Sequence, residues 1–313
     1  MEIRKVKLPD QVWYKNLQKL ALKYPFENER RQLQELNIRR HFANSLKNNK
    51  NSFFFIVLKE NEPAGWIKLS KNNLHSSKLN REIYNTSWEL IEANDNMIRK
   101  KLLEEIITSR PNKQLIFQQP LENKPALKVY KKLFQEAGRE QLLYINPGNY
   151  KKNCPPPGEY ELKPLIKIKR SELEELIYFY EGGHLLGFPG YPHDKTKKLY
   201  RDWLLHMAPR PRFYCRILSR KNRTVGIICA NTLADSSPAR KKCGSIAYIQ
   251  VHPRYTGRGL GKVLLAAGIN YLKNKGVEYI ELKVNSDNTG ARRFYQSQGF
   301  KAISERIYYT YLP

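Results

Sequence analysis

The spacing of hydrophobic positions in the second half predicts short strands that alternate with amphipathic helices. Strands are indicated where β-branched and aromatic residues cluster, and helices where apolar residues repeat every three to four positions. The predicted strands are residues 160–166, 213–218, 224–230, 245–251 and 279–284, and the predicted helices are residues 171–180, with Ser171 as N-cap, 195–207, 260–275 and 289–298. Residues 302–311 alternate as a terminal hairpin would. The pattern predicts an α/β fold with a mixed sheet.

The first half has a similar order of elements. Its predicted strands are residues 52–58, 64–69, 87–91 and 115–118, and its predicted helices are residues 97–108 and 126–136. A short motif also recurs: Asn123, Ala126 and Tyr130 have the spacing of Asn288, Ala291 and Tyr295, displaced by 165 residues. A fixed displacement of about half the chain, together with a shared element order, predicts two tandem domains.

A proline-rich segment separates the two halves. Residues 147–158 contain four prolines, which remove hydrogen-bond donors and exclude both a helix and a central strand. We therefore predict an N-terminal domain at residues 1–146, a linker at 147–158 and a C-terminal domain at 159–313.

Composition narrows the class of protein. At 41% hydrophobic residues the chain can bury a core, and the longest apolar run, residues 53–58, is far shorter than the roughly 20 residues of a membrane span. The first 30 residues have no signal-peptide pattern, so we expect a cytoplasmic protein without a membrane partner. The four cysteines form no CxxC pair, which predicts neither a disulfide framework nor a metal site.

The charge is strongly positive, with 56 Lys and Arg against 29 Asp and Glu, a formal net charge of +27. Such an excess is compatible with nucleic acid, an acidic membrane surface or a polyanionic small ligand. The surplus is spread over both halves, so it does not mark a basic tail. Charge alone does not choose among these partners.

The segment 251–263 has the pattern of an anion site. A predicted strand ends in a proline turn, followed by Gly257, Gly259 and Gly261 and then by a helix. Glycines allow close backbone approach, and the first turn of a helix has free N–H groups that suit a phosphate. The spacing matches neither G-x-G-x-x-G nor a P-loop, and a plain strand-to-helix turn also uses glycines.

A second motif follows the next predicted strand, with Asn288, Ala291, Phe294, Tyr295, Gly299 and Phe300 in order. Together with the glycine loop, this motif resembles the GNAT (Gcn5-related N-acetyltransferase) superfamily, and the tandem arrangement resembles its mycothiol synthase members. Thr256 stands where that family usually has Arg or Gln.

The resemblance implies acetyl-CoA as co-substrate and no metal. The residues that it implies for CoA binding are Ile249, Gln250 and Val251 on the strand, Thr256, Gly257, Arg258, Gly259, Leu260, Gly261 and Lys262 in the loop, and Asn288 and Arg292 after the next strand. It also implies that Tyr295 is the general acid that protonates the leaving thiolate.

The general base is less clearly indicated. Related enzymes often use a carboxylate on the strand before the loop, but this strand has none, and Ser245 stands about where the glutamate is expected. Glu281 on the neighbouring strand is one substitute, with Tyr248, His184 and Glu181 as others. Residues 182–193 lie where the family's acceptor-binding loops usually fall.

The corresponding turn of the first half, residues 91–97, has no glycine, and Asp95 at the helix start would repel a phosphate. We therefore expect one active domain, the C-terminal one, which transfers an acetyl group to a small-molecule or peptide amine. A polyanionic acceptor stays open. The alternatives are an aminoacyl-tRNA-dependent ligase, which the basic charge would suit, and a non-catalytic protein that binds CoA or nucleic acid.

Overall fold

The computed structural model describes residues 1–6, 52–72, 76, 82–91, 95–152, 154–178, 193–232 and 243–313. The described strands are β1 (Glu2–Val6), β2 (Ser52–Lys59), β3 (Glu62–Lys71), β4 (Ile83–Ile91), β5 (Gln114–Pro120), β6 (Gln135–Ile145), β7 (Tyr160–Pro164), β8 (Phe213–Arg220), β9 (Arg223–Thr232), β10 (Cys243–Val251), β11 (Tyr279–Asn285) and β12 (Lys301–Tyr311). The described helices, numbered in chain order, are α1 (Asn96–Ser109), α2 (Lys124–Leu133), α3 (Arg170–Tyr178), α4 (His193–Met207), α5 (Leu260–Asn274) and α6 (Thr289–Ser297). None of these helices is long and apolar enough to cross a bilayer.

The described strands form a single twelve-stranded mixed sheet, in the order β1-β2-β3-β4-β5-β12-β6-β11-β10-β9-β8-β7. Most neighbours are antiparallel, whereas β4 pairs with β5 and β10 with β11 in parallel. Helices α1 and α2 pack on the N-terminal half of the sheet and α5 and α6 on the C-terminal half, whose other face is covered by α3 and α4. The mixed α/β architecture predicted from the sequence is confirmed.

The internal repeat is also confirmed, and it extends over the whole fold. Strands β2, β3, β4, β5 and β6 have 8, 10, 9, 7 and 11 residues, and their counterparts β8 to β12 have the same lengths. Asn123 caps α2 through the Ala126 N–H at 3.3 Å, and Asn288 caps α6 through the Ala291 N–H at 2.9 Å. The recurring asparagine is therefore a recurring helix cap.

The two halves exchange their last strands. Strand β6 of the first half pairs with β11, and β12 of the second half lies between β5 and β6. Leu143 and Ile145 of β6 accordingly pack in the C-terminal core, and Ile307 and Tyr309 of β12 pack in the N-terminal core. Each half thus completes the hydrophobic core of the other.

The segment between the repeats also packs against the C-terminal half. Tyr150 is buried in that core, and burial raises the pKa of its hydroxyl to about 12. The Lys152 Nζ donates to the carbonyl of Ser297 at 2.8 Å, at the end of α6 where helix carbonyls lack internal partners. Residues 147–152 are therefore part of the folded body.

Four local predictions were wrong. Residues 302–311 form part of a single strand, not a hairpin, because they pair on both edges with β5 and β6. The helix predicted to end at residue 136 ends at Leu133. Strand β6 begins two residues later, at Gln135, and the hydrophobic pattern does not indicate this change from helix to strand. Helix α3 begins at Arg170, so Ser171 lies inside it. Cys215 and Cys229, opposite each other in the β8–β9 ladder with Cα atoms 4.3 Å apart, form a disulfide.

Candidate functional site

A wedge-shaped cleft opens between β10 and β11. The two strands pair only from Cys243 with Tyr279 to Ile246 with Leu282, and beyond that point each pairs only with its outer neighbour, β9 or β6. The separation begins at a register shift between Ile246 and Tyr248, the position of a β-bulge. The inner edge of β10 after the bulge therefore has backbone groups without a ladder partner in the described chain.

The bulge also decides which way the side chains of β10 point. Ile249 and Val251 pack toward the core under α5 and α6, whereas Tyr248 packs on the opposite side, toward α3 and α4. Gln250 lies on that second side, since its Nε2 donates to the Leu176 carbonyl at 2.8 Å and its Oε1 accepts from the Tyr248 hydroxyl at 2.8 Å. The side chain of Gln250 is thus held by the protein, and its backbone lines the cleft.

The glycine loop forms an open nest at the start of α5. Gly257 and Gly259 have φ values of 76° and 77°, in the left-handed region that favours glycine. A Cβ at either position would meet nothing within 4 Å, so the backbone conformation and not crowding calls for glycine. Gly259 is the N-cap and makes no side-chain cap bond, which leaves the first-turn N–H groups, such as those of Leu260 and Gly261, without intrahelical partners.

The side chains around the nest are polar and mostly exposed. The Thr256 hydroxyl donates to the Pro253 carbonyl at 2.8 Å, so it fixes the turn before the glycines. The Arg258 guanidinium lies 5.3 Å from the centre of the Tyr255 ring, and Lys262 is exposed on the first turn of α5. Leu260 is buried and anchors the helix start in the core. The nest therefore combines free N–H groups with two nearby cations.

Asn288 and Arg292 hold α6 in place. The Asn288 side chain caps the helix, as described above, and the Arg292 Nε donates to Gln141 Oε1 at 3.0 Å while its Nη1 donates to the Ser286 carbonyl at 3.0 Å. These bonds tie α6 to the exchanged strand β6 and to the turn after β11. A Cβ on Gly261 would lie 3.4 Å from the Phe294 ring, so α6 also approaches the nest closely.

Tyr295 lies on the inner side of α6, packed edge-on against Phe300 with ring centres 5.9 Å apart. The residue is only 8% exposed, and its burial raises the pKa of the hydroxyl above the usual value. No hydrogen bond to this hydroxyl exists among the residues that the structure describes. A phenol of this kind remains protonated at neutral pH and is free to donate to a ligand.

Ser245 and Glu281 are paired residues of β10 and β11, directly opposite each other. Their neighbours Ile246 and Leu282 face the core under α5 and α6, so alternation places Ser245 and Glu281 on the other face of the sheet. Tyr295 belongs to the core side. The structure thus brings the two base candidates together and places the acid candidate on the opposite side of the sheet. Glu181, His184 and residues 182–192 lie outside the described residues.

A cavity of about 250 Å³ lies beside this cleft and is lined by Glu140, Leu142, Glu281, Lys283 and Arg306. Of these residues, sequence analysis singled out only Glu281. Glu140 and Arg306 come from the exchanged strands β6 and β12, and no linear motif indicates that strands so distant in sequence meet. The described residues contain no group of three or more side chains that would hold a metal ion.

The equivalent position in the first half is closed. Strands β4 and β5 pair over three residues and then separate, as β10 and β11 do. At the start of α1, however, the Asp95 carboxylate accepts hydrogen bonds from the Met97 and Ile98 N–H groups at 2.7 and 3.3 Å. The cap therefore uses the amide groups that a phosphate would need, and its negative charge opposes an anion.

The part of the chain that contains this site matches a known protein family. The profile of the acetyltransferase (GNAT) family matches residues 156–300. The chain is 28% identical over 136 residues to an uncharacterized N-acetyltransferase of Methanocaldococcus jannaschii, covering 43% of this chain and 58% of that protein. It is 40% identical over 81 residues to the mycothiol acetyltransferase of Renibacterium salmoninarum, covering 26% of this chain and 24% of that protein. The matches span less than two thirds of either relative.

Solved structures resemble nearly the whole chain in fold. A tandem GNAT protein from the clavulanic acid biosynthesis pathway superposes with a TM-score of 0.62 over 99% of this chain and 98% of that protein. The sequence identity is 11%, so this likeness concerns the fold.

Proposed function

Because the chain is a tandem-domain member of the acetyltransferase (GNAT) superfamily, with the family match in residues 156–300, we propose that it is an acetyl-CoA-dependent N-acetyltransferase with its active site in the C-terminal half. The observation that carries this proposal is the open nest at Gly257 and Gly259, in front of a helix without a side-chain cap. Such an N-terminus favours a phosphate through both its N–H groups and its dipole.

The residues around the cleft divide the binding between them. The N–H groups of the nest hold the pyrophosphate of CoA, and Arg258 and Lys262 supply positive charge for its phosphates. The unpaired edge of β10 at Ile249, Gln250 and Val251 accepts the pantetheine arm by backbone hydrogen bonds. In this proposal Thr256, Asn288 and Arg292 do not contact CoA through their side chains. These side chains make hydrogen bonds within the protein, and those bonds hold the loop and α6 in position.

The reaction follows from proton accounting. A typical amine has a pKa near 10.4, so deprotonation at pH 7 costs roughly 4 to 5 kcal/mol. A carboxylate in the site removes one proton from the ammonium, and the neutral amine attacks the thioester carbonyl, forming the C–N bond as the C–S bond breaks. The second amine proton leaves as the amide forms and replaces the hydroxyl proton that Tyr295 donates to the thiolate, and the carboxylate releases its proton to solvent. One proton thus ends on the thiol and one in solvent.

The alternative of an aminoacyl-tRNA-dependent ligase rests on the formal charge of +27. The open nest favours the acetyltransferase, because its left-handed glycines and uncapped helix start leave N–H groups for the pyrophosphate of CoA. A gel shift with tRNA decides between them. Binding of tRNA that is tight, saturable and unaffected by acetyl-CoA would favour the alternative.

The proposed activity is tested by measuring thiol release from acetyl-CoA with a panel of primary amines. We expect acetyl-CoA to bind and at least one amine class to raise thiol release well above the rate without acceptor. Absence of acetyl-CoA binding would refute the proposal.

A further inference from the structure

The cavity beside the cleft is built mainly by the exchanged strands. Glu140 and Leu142 of β6 lie on the face opposite Leu143 and Ile145, which pack under the helices. Glu281 and Lys283 of β11 and Arg306 of β12 lie around the same space. Strand β11 also forms one wall of the cleft between β10 and β11. The cavity and the cleft are therefore neighbours that share a strand.

Glu140 is the most buried charged group of the cavity, with 3% of its surface exposed. Its Oε1 accepts a hydrogen bond from the Tyr308 hydroxyl at 3.0 Å and lies 3.4 Å from the Lys283 Nζ. Its Oε2 is buried and has no hydrogen-bond partner. Buried carboxylate oxygens rarely lack a hydrogen-bond partner, so this geometry indicates an N–H donor from outside the described chain.

Tyr308 fixes the Glu140 carboxylate in this position. Its burial, together with the negative charge of Glu140, raises the pKa of the Tyr308 hydroxyl, so the phenol remains a hydrogen-bond donor at neutral pH. One carboxylate oxygen is thereby committed to the protein and the other remains for a ligand.

Cations stand next to the carboxylates. Arg306 lies directly opposite Glu140 in the β6–β12 ladder, with its Nη1 3.4 Å from Gln118 Oε1, and Lys283 is 40% exposed. The lining thus carries two carboxylates and two cations. A purely cationic amine would bring no negative group to Lys283 and Arg306, and a pure anion would bring no positive group to Glu140 and Glu281. A molecule with an ammonium group and a carboxylate matches both.

Resting on the proposed function, we propose that this cavity binds the acceptor and that the acceptor is a small zwitterion of amino-acid to dipeptide size, bearing a primary amine and a carboxylate. Glu140 receives the ammonium group and takes its proton, and Arg306 receives the carboxylate. The volume of about 250 Å³ suits a molecule of this size and not a folded protein segment. Strand β6 of the N-terminal half thus supplies Glu140 to the acceptor site of the C-terminal half.

The substrate class is tested with matched acceptors in the thiol-release assay. The probes are glycine, L-alanine, L-serine and glycylglycine, each beside its amide, together with phosphoethanolamine, glucosamine and spermidine. We expect at least one free acid to exceed its amide about tenfold or more in kcat/KM. Equal use of acid and amide, preference for phosphoethanolamine, glucosamine or spermidine, or no acetylation while acetyl-CoA still binds would overturn the inference. The last result would leave acetyl-CoA recognition intact, whereas loss of acetyl-CoA binding would refute the proposed function itself.

Two variants separate the roles of the charged pair. Arg306→Gln should raise KM for the acid about tenfold and leave KM for its amide nearly unchanged, because only the acid contacts the guanidinium. Glu140→Gln should lower kcat for both and shift the acidic limb of the pH–rate profile. Arg139→Gln is the matched control, since Arg139 is on the same strand but pairs with Glu136 outside the cavity. Thermal melting and acetyl-CoA titration establish that each variant is folded. An unchanged acid-to-amide ratio in folded Arg306→Gln would contradict the assignment.

Discussion

Asp95 and Gly259 occupy the same position, the N-cap, in the two equivalent helices α1 and α5. Asp95 accepts hydrogen bonds from the Met97 and Ile98 N–H groups of α1, whereas Gly259 has no side chain and leaves the Leu260 and Gly261 N–H groups of α5 open. The cap residue, together with the glycines that precede α5 and are absent before α1, therefore distinguishes the half with a phosphate nest from the half without one. The predictions below follow from this difference and from the groups around the cleft.

The nest depends on the left-handed backbone at Gly259. Alanine at this position costs about 1 kcal/mol in backbone energy and tilts the loop away from the geometry that a phosphate needs. We expect Gly259→Ala to raise the Kd for acetyl-CoA about tenfold, measured by calorimetry. Gly276→Ala is the control, because Gly276 has a φ of 69° at the far end of the same helix with nothing within 4 Å of its Cβ position. A similar loss of affinity in both variants would show that strain and not the nest is responsible.

We expect Tyr295 to contribute to kcat and not to the affinity for acetyl-CoA. Its hydroxyl pKa is raised by burial, so the proton is present at neutral pH and stays in place as the pH rises through about 10. Tyr295→Phe is expected to lower kcat by about 10² with little change in the Kd for acetyl-CoA. Tyr130→Phe provides the matched control, since Tyr130 is the buried counterpart in the N-terminal repeat. A mutant Tyr295→Phe enzyme with wild-type kcat would remove Tyr295 from the mechanism.

Much of the fold was predictable from local pattern, because strands β8 to β11 and helices α1, α4, α5 and α6 have regular periodicity and clear ends. Gly276 after α5, for example, has the positive φ expected of a helix C-terminus. Strand β6 was missed because its first residues, Gln135 to Gln141, are mostly polar. No Gly or Pro separates the strand from the preceding helix, and the glycine of this segment, Gly138, lies inside the strand. Its alternation is hidden because one face of this part of the strand lines a polar cavity.

The acceptor cavity could not be predicted for a different reason. It depends on β6 meeting β11 and β12, and sequence distance between Glu140 and Arg306 gives no sign of that pairing. The glycine loop and the Asn288 motif were recognisable because local backbone chemistry determines them. Residues that converge through strand exchange have no such local signature.

The cap of α1 should contribute to stability. Asp95→Ala removes two hydrogen bonds at the helix start, and loss of such a cap costs about 0.5 to 2 kcal/mol of unfolding free energy. We expect a lower urea midpoint in this variant and no new acetyl-CoA site, because the turn before α1 contains no glycine. A second calorimetric site in Asp95→Ala would show that the cap alone closes the N-terminal half.

Glu82 should make the protein sensitive to acid. Hydrogen bonds from Lys113 and Lys71 lower the pKa of its carboxyl to about 2. Because the pKa is near 4.3 in the unfolded chain, the stabilisation is complete above that pH and disappears as the pH falls from about 4.3 to 2. The side chain is about one third exposed, so solvent screening limits the effect to roughly 1 kcal/mol.

Urea unfolding at several pH values measures this contribution. Glu82→Gln should lower the unfolding free energy at pH 7 and make no difference at pH 2, whereas Glu122→Gln, at an exposed position, should have little effect at either pH. An equal loss at pH 7 and pH 2 in Glu82→Gln would mean that the charge of Glu82 is not the source of its stabilisation.

The central claim is that one half of the chain binds acetyl-CoA and the other is closed to it. Calorimetric titration of acetyl-CoA into the wild-type chain tests this claim most directly, with Gly259→Asp, which places a carboxylate at the N-cap of α5, titrated beside it. We predict one site per chain in the wild type and no measurable site in Gly259→Asp. Two sites in the wild type, or an unchanged site in Gly259→Asp, would contradict it.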